Sequence, residues 1–199
     1  PLPPMDVQKK IVEECEKIDA QVERNNAVIL DAISEISATI DALKGQRQSL
    51  KSFMTYGKGR VDYAEIAPNS YISTDNMLQN CEGVKPYEGV PNVGTVVAYQ
   101  KGDILLSNIR PYLKKLWMAD CYGGCSPDVL VLHNEKEDSV DSAFIYYSLR
   151  RQEFFDYIMS DIKGMKMPRG KKETIEKYEI TLPSVEIQKE VVKKLQKLD

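Results

Sequence analysis

The sequence is poor in the groups that build metal sites and nucleophiles: it has one histidine, His133, and four cysteines. Cys121 and Cys125 are spaced C-x3-C, but with a single histidine they are too few to complete a typical zinc site. His133 lies in the polar stretch HNEKED, where a surface histidine is a simpler interpretation than the partner of a catalytic cysteine. No Gly-rich phosphate loop, no Asn-Pro-Pro-aromatic run and no Asp/Glu…Glu-x-Lys pattern occurs. The sequence therefore predicts no catalytic residue, no metal and no cofactor.

The sequence also lacks a long apolar run. About 18 successive apolar residues would indicate a transmembrane helix, and no such run occurs. No basic-then-apolar segment opens the chain as an export signal would. Cysteines without an export signal are typical of free thiols, so we expect a cytoplasmic protein with no membrane partner.

A strong net charge is absent too. The formal net charge of −3 at pH 7 argues against a protein that binds nucleic acid indiscriminately. The average conceals two basic stretches: residues 44–60 carry five Lys and Arg and no acid, and residues 163–177 carry six against two acids. A solvated surface is the ordinary explanation of either stretch taken alone.

What the sequence does contain is a repeat. PLPPMDVQKKIVEECEKID aligns without a gap, at an offset of 180 residues, with LPSVEIQKEVVKKLQKLD. The identical residues are Leu2, Pro3, Gln8, Lys9, Val12, Lys17 and Asp19, which recur as Leu182, Pro183, Gln188, Lys189, Val192, Lys197 and Asp199. A period of this length is that of a domain rather than of a solenoid unit, and it predicts a longer parent chain.

The first copy of the repeat opens an apolar stripe with helical spacing. Pro4 followed by Asp6 predicts a helix start, because the helix dipole favours an acid in the first turn. Apolar rows seven residues apart continue to Leu50, so we expect one helix over Met5–Phe53, roughly 70 Å long. Such a stripe needs a second helix as its partner. The residues expected to pair are Ile18, Val22, Ile29, Ile33, Ile36, Ile40 and Leu43.

The middle of the chain has a different pattern. From Val61 to about Leu132, short apolar runs alternate with Gly-, Pro- and Asn-rich turns, and TVVAY, DILLSNI, KLWMA and DVLVLH are predicted strands. VDSAFIYYSLRRQEFFDYIMSDI has helical spacing, and KETIEKYEITLP predicts a short helix that leads into an extended stretch. We therefore expect an α+β fold: a long coiled-coil-forming helix, a mainly β globular domain, and the start of a second long helix.

Three stretches give the chain a resemblance to a known family. They are PLPP…QKKIV…KID with its echo at 182–199, YISTDNM together with KGDILLSNIRPYLKKLWMADCYGGCSPDVLVL, and GMKMPRGKKETIEKYEITLP. In these stretches the chain resembles the specificity (S) subunits of Type I restriction–modification systems, over essentially its whole length. The resemblance implies a conserved long helix at 1–55, a target recognition domain at 56–167 and the start of a second conserved helical region at 168–199.

The resemblance also implies a function. Subunits of this family recognise double-stranded DNA and catalyse nothing themselves, and each recognition domain reads one half of a bipartite target. The partner methylation (M) subunits use S-adenosylmethionine, and the restriction (R) subunit uses ATP. S subunits usually hold two recognition domains, whereas this sequence holds one. The resemblance therefore implies either a fragment or a half subunit that rebuilds the full arrangement as a homodimer.

DNA-binding residues are expected where donors stand at strand ends and in flexible loops. Phosphate contacts favour Lys and Arg, and base contacts favour Arg for guanine and Asn or Gln for adenine. The segment Asn108–Lys115 ends a predicted strand, and the loop Lys163–Lys172 combines basic residues with Gly and Pro. Tyr112 and Trp117 are expected in the core instead. The DNA-binding candidates are Lys58, Arg60, Asn108, Arg110, Lys114, Lys115, Lys163, Lys166, Arg169, Lys171 and Lys172.

Two other functions fit the same pattern. One is a coiled-coil assembly scaffold whose globular domain binds a protein, for which the acidic stretch 135–161 is suited. The other is the specificity tail of a fused methyltransferase–nuclease. Steeply salt-dependent binding to DNA distinguishes a DNA-reading domain from the scaffold.

Overall fold

The computed structural model describes residues 2–89, 94–160, 162 and 167–198, and its first element is one long helix, α1 (Met5–Asp41). Its 37 residues correspond to a length of ~55 Å. The expectation that this helix would continue to Phe53 was wrong. Residues 46–49 pair with a distant strand instead, and this tertiary pairing overrides the helical pattern of their sequence.

Most of the predicted pairing stripe of α1 is exposed. The fractional exposure of Ile18, Val22, Ile29 and Ile33 lies between 46% and 60%. The remaining stripe residues are more covered: Ile36 and Ile40 are buried, and Leu43 is half-buried. Pairing of this stripe with a second helix stays a prediction.

Residues 43–197 form a compact unit that contains the β-strands. Its strands are β1 (Gln46–Ser49), β2 (Met54–Tyr56), β3 (Arg60–Asp62), β4 (Tyr71–Ile72), β5 (Thr95–Tyr99), β6 (Ile104–Ser107), β7 (Leu116–Met118), β8 (Gly123–Cys125), β9 (Val129–Asn134) and β10 (Glu179–Leu182). They form a four-stranded sheet in the order β2-β9-β6-β7, another in the order β3-β5-β8-β4, and the two-stranded pair β1-β10. Within the first sheet, β9 and β6 are antiparallel, with Val129 opposite Ser107 and Leu132 opposite Ile104.

Both four-stranded sheets contribute to one apolar core. Leu105 and Val131 from the first sheet cluster with Tyr99 and Cys125 from the second. Trp117 packs against this cluster, as expected, with its ring edge-to-face to Tyr99 at 5.9 Å between centroids. All four residues of β6 are buried, so both faces of this strand are covered.

Two helices stand where the sequence predicts one. They are α2 (Ser142–Leu149), whose N-terminus is capped by the side chain of Asp141, and α3 (Gln152–Ser160). The break falls at Arg150–Arg151. The two helices together bury the predicted apolar face, since Phe144, Tyr147, Phe154 and Ile158 are each at most 3% exposed.

The last part of the chain follows the predicted order. Helix α4 (Lys172–Lys177) leads into β10, and α5 (Val185–Leu195) packs against α2. The strand β10 is antiparallel to β1, with Leu182 opposite Gln46. The α+β architecture is thus confirmed: a long helix, a mainly β domain and a later helix. None of the helices in the described part of the chain is both long and apolar enough to cross a membrane.

Candidate nucleic-acid interface

Two segments that the sequence marks separately as DNA-binding candidates lie side by side. Ile109 and Arg169 form an isolated antiparallel bridge. Two backbone hydrogen bonds accompany it: Arg110 N donates to Pro168 O at 2.8 Å, and Gly170 N donates to Asn108 O at 3.1 Å. The strand end after β6 and the end of the basic loop therefore belong to one surface.

The start of β9 completes this surface. The backbone N–H of Asn108 donates to Asp128 O at 2.8 Å, and Arg169 Nη1 donates to Asp128 Oδ1 at 2.7 Å. Asp128 N in turn donates to Ser126 Oγ at 3.2 Å. We call residues 108–115, Asp128 and residues 167–172 the basic edge, because they carry six Lys and Arg and one acid.

Arg110 occupies a strained position on the basic edge. It is exposed, and its backbone is left-handed at φ 51° and ψ 64°. The turn Pro111–Leu113 follows, and Lys114 closes it with a second left-handed backbone at φ 50°. A left-handed conformation costs a non-glycine residue ~1–2 kcal/mol, and such residues cluster at functional sites. Among the described residues, the Arg110 side chain has no hydrogen-bond or ion-pair partner.

The two lysines beside this turn are already engaged. Lys114 Nζ donates to Gln152 Oε1 at 3.2 Å, and Lys115 Nζ donates to the carbonyl of Thr74. Burial lowers the pKa of Lys115, and the nearby charges of Arg110 and Lys85 lower it further, against the opposing effect of Asp75. These lysines contribute positive charge to the edge, but their ammonium groups also hold neighbouring segments in place.

Lys171 and Lys172 differ in how free their side chains are. The ammonium of Lys172 lies 4.7 Å from the centroid of the Tyr56 ring, and Tyr56 Oη donates to the Lys172 carbonyl at 3.0 Å. Burial, together with Glu176 and Glu173, raises the pKa of Tyr56 well above its usual 10. Lys171 is exposed, and no partner of its ammonium lies in the described part of the chain.

The remaining candidates are not on the basic edge. Lys58 and Arg60 are exposed at the connection from β2 to β3, and Arg60 pairs with Val97 in the other four-stranded sheet. No side-chain hydrogen bond or ion pair joins either residue to the basic edge within the described ranges. Lys163 and Lys166 lie outside the described residues. A DNA-binding role of all these candidates stays a prediction.

The structure adds features that the sequence does not reveal. Tyr112, expected in the core, is 50% exposed at the turn between the two left-handed residues. Asp128 belongs to the basic edge through contacts with Asn108 and with Arg169, which is 41 positions away along the chain. The one sequence signal for it is a Pro-Asp pair directly before an apolar strand, which is a common turn.

The histidine and the cysteines of the chain lie in different environments. His133 Nδ1 is 2.7 Å from Asp103 Oδ1, whereas Cys81 and Cys125 are buried free thiols. Burial, followed by the charge of Asp103, raises the pKa of Cys125 to about 12, so this thiol is unreactive near neutral pH. No group of three or more His, Cys, Asp or Glu in the described ranges is placed to hold a metal ion.

Comparison with known proteins gives consistent matches. A family model described as the Type I restriction modification DNA specificity domain matches residues 48–199. The chain is 23% identical over 145 residues to the Type I restriction enzyme EcoDI specificity subunit of Escherichia coli, a match that covers 71% of this chain and 31% of that protein.

Solved structures have the same architecture. The HsdS subunit from Thermoanaerobacter tengcongensis matches all of this chain over 52% of its own length, with a TM-score of 0.54 and 16% identity. The S subunit of the Type I restriction-modification system from M. genitalium matches 76% of this chain over 38% of its own, with a TM-score of 0.53 and 14% identity. At such identities the likeness establishes the fold. The chain spans from about a third to about half of the length of these relatives.

Proposed function

The chain belongs to the Type I restriction modification DNA specificity family, and we propose that its globular unit reads one half of a bipartite double-stranded DNA target. We assign this role to the part of the compact unit 43–197 that precedes α5, which includes the stretch 56–167 expected to be the recognition domain. The long helix α1 then acts as a spacer, and residues from 185 onward begin a second helical spacer.

The basic edge is the observation that supports this proposal most directly. It concentrates six cations on one end of a sheet in a chain whose net charge is −3. Its exposed Arg110 and Lys171 are suited to phosphate oxygens, because their side chains are free to reorient. Phosphate contacts of this kind position a protein on the duplex, and separate base contacts specify the sequence.

The opposite end of the same sheet provides a matched control. Lys101 precedes β6 and Lys136 follows β9, so both lie at the end of these strands that is remote from Ser107 and Val129. Both are exposed. Replacing these two lysines changes the net charge by the same amount as replacing Arg110 and Lys171.

The test is a salt series of duplex DNA binding with wild type, R110A/K171A and K101A/K136A. Each lost phosphate contact reduces the slope of log affinity against log salt by about 0.9, so R110A/K171A should lose about 2 from the slope. The control pair should bind nearly as wild type does. Identical slopes for the two double variants, or wild-type binding that does not depend on salt, would count against the basic edge as a DNA surface.

We further propose that methylation and cleavage belong to partner subunits, as expected for a specificity subunit. The purified chain should neither methylate nor cut DNA in the presence of magnesium, ATP and S-adenosylmethionine. Methyl transfer or cleavage by the rigorously pure chain would contradict this. We place the protein, with its M and R partners, in the cytoplasm.

A scaffold function has one observation in its favour. Beside the C-terminal end of β9, an open hollow is lined by Gln100, His133, Glu135, Glu137 and Asp138, and it is acidic rather than basic. A basic protein segment would fit it. If the salt series shows no DNA binding, this hollow is the surface to test next with basic peptides.

A further inference from the structure

We propose that Arg169 reads the edge of a guanine base and that Asp128 is the positioning residue that orients its guanidinium, an inference that rests on the DNA-reading function proposed above. The two residues come from different segments of the basic edge. Neither has a role assigned by the family match, which covers both residues without distinguishing them.

The contact between Arg169 and Asp128 orients the guanidinium and leaves most of its N–H donors available. Arg169 Nη1 donates to Asp128 Oδ1 at 2.7 Å, and the side chains are 58% and 37% exposed. Asp128 is the hydrogen-bond partner of this guanidinium in the described part of the chain, and it engages one of five N–H groups. A bidentate contact to guanine O6 and N7 needs two of the remaining donors.

The backbone on both sides of the pair is also held. Arg169 is bridged to Ile109, and the neighbouring Asn108 donates its N–H to the carbonyl of Asp128. One strand end thus anchors both partners. A guanidinium held in place in the free protein loses less conformational entropy on binding, which favours a specific geometry. This separates Arg169 from Arg110, whose side chain has no such support among the described residues.

The charge of Asp128 strengthens the inference. An acid on a surface that approaches phosphates repels them, and this lowers affinity for every DNA sequence. An ion pair as exposed as this one contributes little to folding. Asp128 is therefore unfavourable for general DNA binding and of small value for stability, and orientation of Arg169 accounts for its place on the basic edge.

The competing explanation is a simple clasp that holds the segment 167–172 against the start of β9. The two explanations predict opposite effects of removing the acid. For a clasp, any loss of the negative charge should raise affinity for all sequences alike. For a positioning residue, loss of the acceptor should weaken the choice of one base pair.

The experiment selects bound sequences from randomised duplex DNA with the complete chain and four variants: D128A, D128N, R169K and E137Q. R169K keeps the charge but not the planar fork, so it should keep the salt slope of wild type and lose preference at one position. D128A should relax the same position, with a loss of discrimination of about five- to 150-fold, the range of one bidentate arginine–guanine contact. D128N keeps an acceptor oxygen and should retain most of that preference.

E137Q is the charge control, because Glu137 is exposed beyond the opposite end of β9. It should leave every position unchanged. Thermal unfolding of each variant establishes that its fold is intact. If D128A is unstable, D128N replaces it in the comparison. The base preference of D128N at this position should then lie between those of wild type and R169K.

Two outcomes would overturn the inference while DNA reading stands. In one, D128A binds all sequences more tightly with an unchanged preferred sequence. In the other, R169K retains the preference of wild type at every position. A wild-type chain that selects no sequence and binds without salt dependence would instead overturn the proposed function itself.

Discussion

Gln8 and Gln188 make the same hydrogen bond, each donating its side-chain amide to the carbonyl of the proline five residues earlier, Pro3 at 2.7 Å and Pro183 at 2.9 Å. The sequence repeat is therefore a repeat of local structure. Helices α1 and α5 both begin two residues after the repeated proline, at Met5 and Val185. The two copies differ in what surrounds them, because Gln188 is 1% exposed whereas Gln8 is not buried.

Replacement of Gln188 by Ala should destabilise the globular unit. Its Oε1 accepts the backbone N–H of Asp141 at 2.8 Å, and its Nε2 also donates to Ser139 O at 3.3 Å, so it links α5 to the start of α2. Leaving these buried groups unpaired should cost about 1–3 kcal/mol in the free energy of unfolding. Q8A is the matched control and should change it by less than about 0.5 kcal/mol. Urea unfolding measures both, and equal effects would refute the distinction.

Replacement of Gly45 by Ala should strain the entry to the globular unit. A Cβ at Gly45 would meet the carbonyl oxygen of Leu182, which is a backbone atom and cannot swing away. We expect a loss of about 1–3 kcal/mol, as for overpacking elsewhere in proteins. G59A is the control, since its Cβ would lie 3.4 Å from the Ala98 side chain, an ordinary contact. A G45A protein with the unfolding midpoint of G59A would contradict this.

The exposed stripe of α1 should mediate self-association. Ile29 is 53% exposed, and an aspartate there would be buried without a partner in any helical pair. We expect wild type to sediment as a dimer and I29D as a monomer. A27D is the control: Ala27 is also exposed, and two residues correspond to about 200° around the helix. Loss of mass in A27D, or none in I29D, would exclude this face as the interface.

The thiols should react in an order set by exposure and pKa. Cys15 is exposed, whereas Cys125 is buried with its pKa raised to about 12. At pH 8 about one in ten thousand Cys125 side chains is a thiolate, so alkylation should reach Cys15 in minutes and Cys125 only after unfolding. Mass spectrometry of the labelled peptides measures this order, and early labelling of Cys125 would contradict it.

The same shift has a consequence for stability. Because the pKa of the Cys125 thiol is higher in the folded than in the unfolded protein, folding favours the neutral thiol. The resulting contribution to stability is complete at pH values below the unfolded-state pKa. Stability should therefore decline as the pH rises from about 9 towards 12. The decline between pH 9 and 10 should be smaller in C125A, which has no thiol to ionise, whereas above pH 10 part of it should remain because the pKa values of Tyr56 and Tyr71 are raised as well.

Local patterns predicted much of the fold. The apolar runs at β5, β6 and β9 are strands, and Pro4 with Asp6 marks the true start of α1. The end of α1 could not be predicted in this way, because Leu50 continues the seven-residue row. Its burial comes from the globular unit, where it lies in a short 3-10 turn that packs near α4. The spacing of apolar residues in a sequence cannot distinguish burial against a partner helix from burial within a globular unit.

The site was harder to predict than the fold. Residue type alone marked Arg110 and Arg169 as DNA-binding candidates, but it could not show that the Arg169 side chain is held by Asp128 whereas that of Arg110 has no partner among the described residues. Nor could it reveal that Tyr112 is exposed in the turn between the left-handed residues Arg110 and Lys114. Contacts between segments that are distant in the sequence determine which side chains are held or exposed, and local composition does not predict such contacts.

The pairing of β1 with β10 joins two points of the chain that are far apart in the sequence. Gln46 and Leu182 stand opposite each other, so the two ends of the segment 46–182 lie about 5 Å apart. Everything between them is in effect a large loop whose two ends are already joined. Another domain grafted between the same two strands would begin and end at the same two joined points of the chain.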